Sequence, residues 1–325
     1  MDRSRNSKLP GKSGSLHPRN PHAGRYDFDA LSQALPSLAP FLRSNPKGDQ
    51  TIDFSDEQAI RALNSALLAH HYGISHWMIP AGYLCPAIPG RADMIHYLAD
   101  LLASSNGGEV PRGKQVRVLD IGTGANCIYP ILGCRSYGWQ FVGTDIDPVS
   151  IKTARLIVEA NACLKNQIKL VRQKEPSMIF KGIIRPGDWY ELSLCNPPFH
   201  SSEGEAKASN LQKRKNLSKG KGVKKTDTLN FGGQQAELWC EGGELRFLTQ
   251  MIRESRDFAQ QVGWFSSLVS KSENLPILKQ ELNRWGAARV EVLPMSQGQK
   301  VSRVLAWKWE TAGGGQKGGR PEKRF

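Results

Sequence analysis

From Gln115 to Trp309 short apolar or β-branched runs alternate with stretches of helical spacing, and this alternation constrains the fold more than any other feature. It argues for a mostly parallel sheet with crossover helices, the α/β class. The spacing predicts strands from Val116 to Asp120, Phe141 to Thr144, Ile168 to Val171, Leu192 to Cys195, Trp264 to Val269, Arg289 to Leu293 and Val304 to Trp309. It also predicts a helix from Pro148 to Asn161, with Asp147 as N-cap and Pro148 at the first helical position.

Residues 16–110 read as a mainly helical N-terminal segment ahead of a core domain at 111–310. A helix is predicted over Ser55 to His71, opened by a capping box of Ser55 and Gln58, and a second over Ala92 to Ala103. Between them Pro80, Pro86 and Pro89 predict extended or turn conformations. The ends, 1–15 and 311–325, are rich in Gly, Ser, Lys and Arg and are expected to be disordered basic tails. A low-complexity insert also stands out. Between Lys207 and Lys225 there are seven lysines, one arginine and no acidic residue, so this loop is expected to order only when a partner neutralises it.

Charge narrows the partners. Lys and Arg number 44 against 30 Asp and Glu, a formal +14, which favours a polyanion such as nucleic acid. An anionic membrane would also attract it, but there is no run of about 18 apolar residues and no apolar N-terminal leader pattern. A cytoplasmic protein is expected. The six cysteines are scattered without C-x-x-C or matching histidine spacing, so reduced thiols and no metal are expected.

Three motifs carry chemistry. VLDIGTGAN, Val118 to Asn126, puts Asp120, Gly122 and Gly124 at the end of a strand and before a helix, where backbone can approach a ligand closely. A dinucleotide turn asks for a third glycine, and Cys127 stands there instead. An acidic turn suits the sulfonium and amino group of S-adenosylmethionine better than a pyrophosphate. Asp145, in GTDID, closes the next strand about 20 residues later, where a carboxylate accepts from ribose hydroxyls.

LCNPPFH, Leu194 to His200, ends a later strand of the same sheet. Methylating a planar amine requires its lone pair to face the methyl while acceptors hold both N–H groups. The Asn196 side chain and the Pro197 carbonyl supply two acceptors, Pro197 and Pro198 stiffen them, and Phe199 offers a stacking face worth about 1–3 kcal/mol. His200 reads as a loop residue rather than a base.

With these elements the chain resembles the bacterial 23S ribosomal RNA adenine-N6 methyltransferases and related eukaryotic RNA adenine methyltransferases. The resemblance also runs through HPRNPH (17–22), YDF (26–28), TIDF (51–54), CPAIPGR (85–91), LNFGGQ (229–234), ELWCEGGE (237–244) and QGQK (297–300). It implies a class I methyltransferase fold with a seven-stranded sheet and methyl transfer from S-adenosylmethionine to one adenosine of 23S rRNA; a monomer acting on free 23S rRNA or a large-subunit assembly intermediate is expected. Carried over, Arg91, Gly122, Asn126 and Asp145 line the cofactor site, beside Asp120 and Gly124 from the motif reading, and Asn196, Pro197, Pro198 and Phe199 hold the adenine. Lys213, Arg214, Lys215, Lys219, Lys221, Lys224 and Lys225 of the insert, with Lys300 and Arg303, are the expected phosphate contacts.

The Asn-Pro-Pro-aromatic arrangement also fits protein glutamine methylation, against which the basic insert weighs, and DNA adenine methylation, which the motif alone leaves open. A non-catalytic ribosome-assembly factor is a further reading, and the intact glycine turn and NPPF weigh against it.

Overall fold

The structure, a computed structural model of the chain, describes residues 15–198, 240–297 and 300–310; of residues 296, 297, 300 and 301 only the backbone is described. The strongly basic insert at 207–225 and both tails, save for Ser15, lie outside the described residues.

Seven strands form the central sheet: β3 (Arg117–Ile121), β4 (Gln140–Asp145), β5 (Ile168–Arg172), β6 (Tyr190–Cys195), β7 (Val262–Val269), β8 (Ala287–Gln297) and β9 (Lys300–Trp309). Their order is β5-β4-β3-β6-β7-β9-β8, with only β9 antiparallel to its neighbours. Two short strands ahead of them, β1 (Arg43–Ser44) and β2 (Gln50–Thr51), pair separately. The seven-stranded, mostly parallel sheet is the fold the resemblance implies. Its chain order reverses between β3 and β6, and a crevice opens beyond their carboxyl ends at such a switch point.

Both faces of the sheet are covered, which is why its central strands are buried nearly throughout. Side chains alternate between the two sides: Val118, Leu192 and Trp264 join one apolar cluster, and Leu119, Cys195 and Phe265 the other. The first cluster takes in the helices α1 (Phe28–Ala34), α2 (Glu57–Tyr72), α3 (Ile88–Ser104), α4 (Ile128–Tyr137) and α5 (Pro148–Ala160), so the N-terminal segment and the sheet share one core. The second lies under α6 (Gly243–Ser255) and α7 (Asn274–Arg284).

Local chemistry moved three boundaries. Helix α2 is capped by Asp56, whose carboxylate accepts from the backbone N–H of Gln58 and Ala59 at 2.8 and 3.4 Å. Ser55 instead donates its hydroxyl to Asp53, so the expected capping box does not form. Helix α3 starts at Ile88, four residues before the expected Ala92, because Pro89 occupies the first turn, where its missing N–H costs no helical bond. Strand β8 runs through Pro294 to Gln297 rather than ending at Leu293; it is an edge strand, where proline is tolerated. The Asp147 cap on α5 forms as expected, accepting from Val149 and Ser150.

Candidate active site

A cleft of about 210 Å³ opens at the switch point. Three sequence motifs converge on it: Gly122, Gly124 and Asn126 after β3, Asp145 at the end of β4, and Asn196 with Pro198 after β6. Arg91, from the first turn of α3, joins them. The register explains the meeting, since β3 pairs in parallel with β4 and with β6 and all three end together.

The glycine turn is set by backbone bonds to the neighbouring strand. The N–H groups of Gly122 and Thr123 both donate to the Thr144 carbonyl, at 2.9 and 2.8 Å. Gly122 has φ +73°, and a Cβ there would meet no atom within 4 Å, so backbone faces open space beside the cleft. Gly143 of β4 has the opposite reason to be glycine, because a Cβ would come within 2.9 Å of the Thr123 hydroxyl.

Cys127 stands where a dinucleotide turn has its third glycine. It sits at φ +52°, the left-handed conformation glycine favours, and is fully buried at the N-cap of α4. The turn therefore takes the conformation without the residue, at a strain of about 1–3 kcal/mol. Asn126 steadies it: its side-chain oxygen accepts from Ile128 N–H at 3.1 Å, and its backbone carbonyl accepts from the Trp77 indole at 2.8 Å.

The carboxylates differ sharply. Asp145 accepts Gly124 N–H on one oxygen and Asp147 N–H on the other, both at 2.9 Å. Burial still holds its pKa above the ordinary carboxylate value, with these two N–H groups opposing. Asp120 is wholly buried and neither oxygen has a hydrogen-bond partner among the described residues. Burial pushes it up to about 7, with Asp145 adding to the shift and Thr123 and Arg91 opposing it. The Asn196 side-chain oxygen is likewise buried without a partner among the described residues. Buried polar atoms are ordinarily bonded, so the orphaned Asn196 oxygen at the cleft marks where a ligand completes the bonding, while Asp120 is buried next to Ile121, which lines the cleft.

Arg91 is held ready rather than loose. Its guanidinium donates to the Tyr129 hydroxyl at 3.0 Å and lies 5.6 Å from that ring's centroid. Beyond the motifs, Met178 and Ile179 from the loop after β5, and Phe247 and Gln250 from α6, complete the walls. The sequence reading missed these because they lie in segments with no local signature.

Of the other expected residues, Pro197 is buried between Asn196 and Pro198, and Arg303 lies on β9 opposite the end of β7, donating to the Ser270 carbonyl at 3.5 Å. Phe199, His200, Lys213, Arg214, Lys215, Lys219, Lys221, Lys224 and Lys225 lie outside the described residues, as does the side chain of Lys300. No group of three or more potential metal ligands occurs among the described residues, and no described helix is long and apolar enough to cross a membrane.

Residues 11–311 match the model of an RNA methyltransferase family, Methyltransf_10. The chain belongs to this family. Its relatives include the ribosomal RNA large subunit methyltransferase F of Desulfotalea psychrophila, 58% identical over 94% of this chain and 98% of the relative. That of Cronobacter sakazakii is 56% identical over 90% and 93%. The RNA methyltransferase fold also matches the human METTL16 catalytic domain in complex with MAT2A 3′UTR hairpin 1, with TM-score 0.76, 31% identity and 92% and 96% coverage. The N-terminal domain of human METTL16 in complex with SAH matches with TM-score 0.71, 27% identity and 91% and 100% coverage.

Proposed function

We propose that this protein transfers a methyl group from S-adenosylmethionine to the N6 amine of one adenosine in 23S ribosomal RNA, in the cytoplasm. The observation that carries the reading is the buried, unpartnered oxygen of Asn196 beside the glycine turn and its acidic neighbours. The relatives named for large-subunit rRNA and the METTL16 domains complexed with an RNA hairpin and with SAH support it.

The residues present fit the cofactor. Arg91 and Asp145 line the cleft and suit the carboxylate and the ribose hydroxyls, and the orphaned Asp120 carboxylate, buried two residues before Gly122, suits the cationic amino group. When bound, S-adenosylmethionine supplies a methyl group made electrophilic by its sulfonium. The protein's part is orientation: Asn196 Oδ1 and the Pro197 carbonyl accept from the adenine amine and so turn its lone pair toward the methyl. Phe199 stacks on the base. Among the described residues no histidine lines the cleft, and none is needed, because the methylated amine is acidic enough to lose its proton to water. The lysines of the insert, with Lys300 and Arg303, hold RNA phosphates while the adenosine leaves its stack, at a cost of roughly a few kcal/mol.

The test is transfer of labelled methyl from S-adenosylmethionine to rRNA from cells lacking this protein, followed by nucleoside analysis. Label in N6-methyladenosine is expected. Label in protein glutamine, or in DNA alone, would overturn the reading.

A further inference from the structure

His17 to His22, HPRNPH, is a polar, basic run near the chain start and invites assignment to RNA phosphates. The structure turns it inward. Arg19 donates to Asp100 at 2.6 Å, to the Tyr137 hydroxyl at 2.9 Å and to the His96 carbonyl at 3.0 Å. Asn20 is 3% exposed, and its side-chain amide donates to the Pro89 carbonyl at 2.9 Å and to Asp93 Oδ1 at 2.6 Å. His17 N–H donates to the same Asp93 oxygen at 2.9 Å. Pro89 and Asp93 flank Arg91 on the first turns of α3.

That turn is poorly equipped to hold itself. Its sequence is Ile-Pro-Gly-Arg, its N-cap Ala87 offers no side-chain bond, and its first backbone bond, Arg91 N–H to the Ala87 carbonyl, is long at 3.4 Å. Glycine inside a helix and a missing cap each weaken it by about 1 kcal/mol. External bonds therefore decide where the turn sits. On the preceding residues Asn64 of α2 holds the Pro86 carbonyl at 2.9 Å, and on the turn itself Asn20 is the side-chain donor among the described residues.

We propose that Asn20 is a positioning residue for the cofactor site: by fixing the Pro89 carbonyl and Asp93 it sets the helical turn from which Arg91 reaches the cleft. The proposal rests on the reading of Arg91 as a cofactor ligand. It assigns HPRNPH to cofactor affinity rather than to RNA binding. It also separates two parts of one polar network, since Asp100, further along α3, ties His17 and Arg19 without touching the turn.

The test is calorimetric titration of S-adenosylhomocysteine into the full chain, with rRNA affinity and melting temperature measured alongside. For Asn20→Ala the dissociation constant is expected to rise about tenfold, the size of one lost buried hydrogen bond, with rRNA affinity within about twofold of the starting protein. Asp100→Asn is the control, lowering the melting temperature while leaving the dissociation constant within about twofold. If Asn20→Ala fails to fold, Asn20→Ser replaces it with the same expectation. Arg91→Ala keeps the two readings apart. Should it weaken binding while the Asn20 variant does not, the positioning role falls; should it leave binding unchanged, the assignment of Arg91 falls and the positioning role with it. Loss of rRNA affinity in Asn20→Ala with cofactor affinity unchanged would equally overturn the proposal.

Discussion

Asp93 and Asp120 are both sealed from solvent, at 2% and 0% exposure, yet they live in opposite circumstances. One oxygen of Asp93 takes hydrogen bonds from Asn20 and from His17 N–H, whereas neither oxygen of Asp120 has a partner among the described residues. Burial raises the pKa of both; bonded neighbours oppose it at Asp93, while Asp120 reaches about 7. Glu244 belongs with Asp93: it is buried at the start of α6 and accepts from Ser270 N–H, Lys271 N–H and the Asn274 amide at 2.6, 3.1 and 2.7 Å. Satisfied carboxylates hold loops together. An unsatisfied one is a cost that the folded protein carries.

The difference can be broken by substitution. The largest stability effect is expected at Glu244→Ala, which takes the acceptor from three donors and should lower stability by about 3 kcal/mol in urea unfolding. A loss below about 1 kcal/mol would mean that water replaces the carboxylate without penalty. Asp120→Asn should act in the opposite direction, raising stability at pH 8 by roughly 2 kcal/mol. The sign follows from proton binding. A carboxyl whose folded pKa lies near 7, above its unfolded value near 3.8, binds more protons when folded, so wild-type stability falls as pH rises from about 4 to about 7. The advantage of Asp120→Asn should accordingly vanish below pH 4, and a parallel pair of pH profiles would show that Asp120 is not strained. The smallest effect belongs to the exposed cap: Asp56→Ala should cost about 1 kcal/mol and Ser55→Ala under about 0.5 kcal/mol. Equal losses would restore the capping box.

How legible each part was in the sequence follows the same division. The glycine turn, Asp145 and Asn196 were readable because each motif is local and the parallel register brings strand ends together without further information. The conformation of Cys127 was not, since a left-handed residue that is not glycine leaves no compositional mark. Nor was the early start of α3, where three prolines in ten residues outweighed the tolerance of a helix for proline in its first turn. The ties made by Asn20, Asn64 and Glu244 span from 21 to 73 residues of chain and obey no periodicity. Met178, Ile179, Phe247 and Gln250 reach the cleft by the same tertiary route.

The most direct test of the account is Asn196→Ala, followed by single-turnover methyl transfer to rRNA, S-adenosylhomocysteine affinity and melting temperature in one preparation. Because the Asn196 oxygen has no partner to lose among the described residues, stability and cofactor affinity should stay within error and about twofold, while formation of N6-methyladenosine falls at least about 10²-fold. A rate within about tenfold of the starting protein would contradict the claim that this side chain orients the adenine amine.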